Sequence, residues 1–192
     1  MKHVKLSNQT TIDIPTCWED ITLKQQLTVE RLVSENEEEY KSLAIVAGYC
    51  NLTIDQVKKL HVNDIKKVLS QLTFIKSPIS SDPISEFEYD GEKYFLIPTL
   101  LKGEFQDFLS IETLLENYKG KEYLALPYII AIVAKKKNET LSDFTLESRA
   151  IHFENLPISI ANKIWFFFAL TDQLSIHDFQ RMEQSNNQIN ES

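Results

Sequence analysis

The sequence predicts a mainly α-helical α+β fold, a helical bundle with two β-hairpins that form a small antiparallel sheet. Three observations lead there. Apolar residues recur at helical spacing in several stretches, for example Ile65, Val68, Leu69 and Leu72. Two segments, near residues 3–14 and 86–97, instead alternate apolar and polar residues around turn formers. Thr22 stands three residues before Gln25, the spacing of a capping box at a helix start.

Taken in order, Lys2 to Pro15 reads as the first hairpin. Val4 and Leu6 face one way, Ile12 and Ile14 repeat the pattern, and Ser7-Asn8-Gln9-Thr10 supplies the turn. Pro15 ends the second strand because it has no N–H for a ladder. A short turn over Trp18–Gln25 leads into a helix capped by Thr22, with Leu23, Leu27 and Leu32 facing inward. The acidic run from Ser34 to Glu39 reads as a solvated loop feeding the next helix, where a helix N-terminus favours carboxylates. Tyr40–Tyr49 is a buried helix carrying Leu43, Ala44, Val46 and Ala47, which Gly48 helps to end. Thr53 caps a short helix over Ile54–Leu60, and Asn63 or Asp64 starts another that runs to Ile75.

The prolines and serines of residues 77–84 mark a linker between an N-terminal part, 1–76, and a second part, 85–175, with the two expected to pack as one unit. The second hairpin turns at Asp90-Gly91, a pair that tolerates the positive φ of tight turns. Leu100–Phe105 is ambiguous. Ser110 caps a helix over Ile111–Tyr118 that Gly120 ends. Glu122–Lys135 is apolar nearly all round and reads as the central core helix, with Pro127 in its first turns and Lys135-Lys136-Lys137 placed to meet its C-terminal dipole. Leu146–Leu156 and Ile158–Leu174 are further helices, and 176–192 is a polar, loosely attached tail.

Composition narrows the function classes. The chain has 192 residues, 43% hydrophobic and 25% charged, as ordinary globular proteins have. Its net charge of -8 disfavours a nucleic-acid binder, which needs a basic surface. No apolar run reaches the roughly 20 residues of a membrane span. The opening Met1–Leu6 lacks the apolar core of a signal peptide, so a cytosolic protein is expected. Cys17, Cys50 and the four histidines are scattered, without the short ligand spacings of a zinc site, so no metal is expected. The four glycines lie far apart, which rules out both the phosphate loop and the dinucleotide fingerprint, and no cofactor is expected. Asp172, His177 and Asp178 form the densest ionisable group, but nothing makes them a catalytic set. No active site is assigned, and the chain reads as non-catalytic. A small enzyme whose site converges only in the fold is the alternative from another class.

Two groups of residues carry a resemblance. The first is the N-terminal hairpin followed by Ile14-Pro15-Thr16-Cys17-Trp18-Glu19-Asp20-Ile21-Thr22-Leu23. The second is Leu43–Ile75, where an apolar helix ends in Ala47-Gly48, a short helix ends in Leu60, and Asn63-Asp64-Ile65 opens a last helix finishing in Phe74-Ile75. In both, the chain resembles the small tail assembly chaperones of tailed bacteriophages, and small phage virion accessory proteins, over residues 1–76. The second half adds more than such proteins carry. The resemblance implies a protein that binds another phage protein, such as the tape-measure chain, in the cytoplasm of the bacterial host. A structural virion subunit of tail or connector, or internal cargo, is the alternative, and self-association is left open. Trp18, Trp165, Phe166 and Phe168 are the candidate protein-binding residues, since aromatic side chains are enriched at binding hot spots. Three consecutive phenylalanines cover most of a helix circumference, so at least one must leave a one-sided core.

Overall fold

The computed structural model describes residues 1–80, 82–97, 105–139 and 145–169, and these form a mainly helical α+β fold with two small antiparallel sheets. By packing, the chain divides into two compact units: Met1–Ser80 with Glu154–Ala161, and Ser81–Phe153 with the chain from Asn162.

In the first unit, strands β1 (Lys2–Lys5) and β2 (Thr11–Ile14) pair in the register Val4↔Ile12. The alternation buries Val4, Leu6, Ile12 and Ile14, as the sequence predicts. Helix α1 (Leu23–Glu35) starts at the expected capping box. The Gln25 N–H donates to Thr22 Oγ1 at 3.2 Å, and the Thr22 N–H donates to Gln25 Oε1 at 2.9 Å. Its inward face is Leu23, Gln25 and Val29, whereas Leu27 and Leu32 are only half-buried. Ser34 and Glu35 belong to its last turn and not to a loop, with Arg31 paired to Glu35 at 3.1 Å. Helix α2 (Lys41–Tyr49) packs on α1, and α3 (Ile54–Lys58) follows with a second capping box from Thr53 and Gln56. Helix α4 (Val62–Gln71) starts a residue or two earlier than expected and passes into a 3-10 turn over Leu72–Lys76. Asp64, buried in its first turn, accepts from the Ser7 N–H and hydroxyl, both at 3.1 Å.

Residues 154–161 return to this first unit, which chain order alone did not suggest. Backbone pairing explains it. The Leu23 N–H donates to the Leu156 carbonyl at 2.8 Å, and the Ile158 N–H donates to the Ile21 carbonyl at 2.8 Å, on either side of a bridge between Thr22 and Pro157. Leu156 is fully buried there.

Tyr49 and Cys50 close α2 inside this core. Burial pushes the Cys50 thiol from its ordinary value near 9 up to about 12, and the Tyr49 phenol from 10 up to about 12. The folded chain therefore holds protons that the unfolded chain gives up above pH 9. Stability present below pH 9 should fall steadily as pH rises toward 12. Cys50→Ala should flatten that fall in urea titrations at pH 7, 9 and 10.5, and Cys50 should react with a disulfide reagent only after unfolding. An unchanged pH slope in Cys50→Ala would contradict this.

The second unit contains the other sheet. Strands β3 (Glu86–Tyr89) and β4 (Glu92–Leu96) form the expected hairpin, with Asp90 at φ 53° and Gly91 at φ 75°. The two hairpins do not share a sheet, as the sequence had suggested. Instead a two-residue strand, β5 (Ala134–Lys135), joins β4 and gives the order β3-β4-β5. Helix α5 (Phe105–Asn117) begins before Ser110, whose hydroxyl is spent inside it on the Gln106 carbonyl at 2.8 Å, so Ser110 is no cap. Gly120, at φ 80°, lies in the turn after α5. A 3-10 turn over Glu122–Ala125 leads into the core helix α6 (Leu126–Val133), with Pro127 at its N-terminal end. Nearly every α6 residue is buried. Helix α7 (Leu146–Phe153) packs on it, and residues 158–169 are again helical. No helix among the described residues is long and apolar enough to cross a membrane. The predicted polar tail, 176–192, lies outside the described residues.

Lys135 corrects the reading of a lysine run against a helix dipole. The helix stops at Val133, and the Lys135 ammonium turns inward to pair with Asp107 of α5. Both side chains are almost fully buried.

Candidate functional site

Helical residues 158–169 carry three of the four expected binding aromatics. Phe168 is buried, Trp165 is half-buried with its ring 5.9 Å from that of Phe168, and Phe166 is 38% exposed. Trp18 belongs to the first unit. Its ring meets Phe74 edge-on at 5.2 Å, and its Nε1–H donates to the Ser77 carbonyl at 3.1 Å. That contact ties the start of the linker to the first unit and gives Trp18 a packing role.

An apolar surface that the sequence reading missed runs along α5. Phe105 is 73% exposed and Leu109, one turn on, is 42% exposed. Beside them lies a groove of about 280 Å3 lined by Gln106, Leu109, Ser110, Thr113, Leu114 and Leu146. The i, i+4 spacing of Phe105 and Leu109 was the available signal. Taking Ser110 as the helix start hid it.

The second concavity is charged, with a volume of about 380 Å3. Asp90 and Glu92 come from the β3–β4 hairpin, Lys136 and Glu139 from the turn after β5, and Ser148, Arg149 and His152 from α7; Tyr94 forms part of the wall. Arg149 is buried among them. Its Nη1 lies 2.6 Å from Glu139, its Nη2 donates to the Ala134 carbonyl, and its guanidinium stacks 5.4 Å from the Tyr94 ring and 5.6 Å from that of Phe153. Glu139 also accepts the Lys136 N–H at 2.7 Å, closing a turn in which Asn138 has φ 63°. Although burial opposes ionisation of Glu139, its bonds from Arg149 and the Lys136 N–H hold its carboxyl below the usual range. Lys136 pairs with Glu92 at 3.1 Å and lies 5.8 Å over Tyr94. His152 rests against Tyr89 at 5.0 Å, and the Tyr89 hydroxyl points at the His152 carbonyl.

Two of the three carboxylates that line the cleft, Glu92 and Glu139, are thus ion-paired across it, which suits electrostatic recognition more than proton transfer. Among the described residues no group of three or more His, Cys, Asp or Glu could hold a metal ion. The Asp172, His177 and Asp178 cluster lies outside the described residues. No protein-family model matches the chain, and neither the curated proteins nor the solved structures give a significant match.

Proposed function

We propose that this chain is a non-catalytic binding protein of tailed-bacteriophage assembly, and that it receives an amphipathic segment of another phage structural protein, such as the tape-measure chain. The observation that carries the reading is the α5 face. Phe105 and Leu109 stand exposed one turn apart, with Leu109 lining a groove of mixed leucine and polar side chains, a pattern that an amphipathic helix fits with residues at i, i+4 and i+7. Phe166 gives the same unit a further exposed aromatic. The resemblance of residues 1–76 to tail assembly chaperones supplies the class of partner.

The test is co-purification of the tagged chain with the tape-measure-like protein encoded by the same phage, set beside purified particles. The expected result is a complex with the tape-measure chain and absence from particles. The double variant Phe105→Ser/Leu109→Ser should still unfold in one cooperative thermal transition, yet lose about tenfold or more in affinity. Presence in particles at fixed stoichiometry would replace the chaperone role with that of a structural subunit. Unchanged affinity of the double variant would remove α5 from the interface.

A further inference from the structure

We propose that the charged cleft of the second unit receives an arginine or lysine side chain of the partner protein, and that Lys136 occupies this position in the unbound chain. The identity of the ligand's source rests on the binding role above; the cation site itself does not.

Arg149 is already committed, to Glu139 and to the Ala134 carbonyl, with only 7% of its surface exposed. The charges left to a ligand are those at the mouth. There Glu92 and Asp90 are both exposed, and among the described residues Lys136 pairs with Glu92 alone. Asp90 makes no ion pair among the described residues. The Tyr94 ring forms the wall between, and an aromatic face attracts a cation within about 6 Å of its centre. Lys136 satisfies that geometry at 5.8 Å while 3.1 Å from Glu92, so the chain's own ammonium marks where a foreign one would lie.

The internal occupant is replaceable. Both partners of the Lys136–Glu92 pair are more than a third exposed, and such surface pairs are worth about 0–1 kcal/mol. A guanidinium bridging Glu92 and Asp90 gains a second carboxylate that Lys136 does not use, and planar guanidinium groups suit paired oxygens and aromatic faces. Anions are disfavoured, because three carboxylates line the cleft against two cations that are already paired. The net charge of -8 also favours approach of a basic partner.

The experiment is an amide NMR titration of the full chain with the peptide acetyl-Gly-Arg-Gly-amide, against the same peptide carrying neutral citrulline in place of arginine. Shifts confined to residues 90–94, 136–139 and 148–152 with the arginine peptide only are expected. Asp90→Asn/Glu92→Gln should weaken binding about tenfold or more. Asn at position 90 tolerates the positive φ there, so the hairpin should survive. Lys136→Met should bind about two- to fivefold more tightly, because it removes the competitor. Equal shifts with citrulline, no shifts at all, or no gain in Lys136→Met would each overturn the proposal. The titration contains no phage protein, so its failure would leave the tape-measure test standing, and the reverse also holds.

Discussion

Asp107→Ala is expected to cost about 3–5 kcal/mol of stability, measured by urea unfolding. Asp107 Oδ2 holds the Lys135 ammonium where α5 meets β5, and both side chains are buried. Removing the carboxylate would leave a buried, unpaired ammonium, the costliest kind of single change a core admits. Lys135→Met should lose a comparable amount for the mirror-image reason. The pair itself contributes little net stability. Taking two charges out of water costs several kcal/mol per ion, and Asp107 Oδ1 is buried without a hydrogen-bond partner among the described residues. Asp107→Leu/Lys135→Met, which removes both charges and fills the space, should therefore fall within about 1 kcal/mol of the native chain or exceed it. The decisive quantity is the coupling between the two sites. Single losses that add in the double variant would show that the two groups do not form one buried unit.

This pair also shows where sequence reading ends. The hairpins were legible because period-two alternation and an Asp-Gly turn are local signals, and the Thr22 cap was legible because its partner, Gln25, lies three residues away. Lys135 was not. Beside Lys136 and Lys137 it looks like part of a surface run, and only a partner 28 residues distant in sequence turns it inward. Strand β5 has two residues, too few to show any periodicity, and exists because β4 offers it an edge. The charged cleft draws on the β3–β4 hairpin, the turn after β5 and α7, and none of these stretches carries a motif by itself. Arg149 and His152, one turn apart on α7, were the only hint. The α5 face failed for a different reason. Serine at position 110 serves equally as a cap or as a mid-helix hydroxyl returning to the carbonyl four residues back, and the latter holds here.

Gly48→Ala should destabilise the chain by about 2 kcal/mol, against the direction that helix propensity alone would give. Gly48 does not end α2, as the sequence suggested. It lies inside the helix, fully buried, at the crossing with α1. A methyl group there would overlap the Val29 side chain and come within 3.1 Å of the Val29 nitrogen and 3.2 Å of its Cα. Valine is stiff at χ1, so the side chain cannot swing aside cheaply, and no rotamer moves the backbone atoms. The helices would have to separate. That would strain two hydrogen bonds across the crossing, from the Gln25 amide to the Tyr49 carbonyl at 3.0 Å and from the Tyr49 hydroxyl to Gln26 at 2.7 Å. Against this, alanine gains about 1 kcal/mol over glycine within a helix. Overpacking of a tight core costs about 1–3 kcal/mol and occasionally more, and the contact with backbone atoms places this case at the upper end. Adding Val29→Ala should recover only part of the loss, since it relieves the side-chain overlap and leaves the two backbone contacts. A Gly48→Ala chain more stable than the native one would mean that α1 and α2 do not approach so closely, and glycine at 48 would then need another explanation.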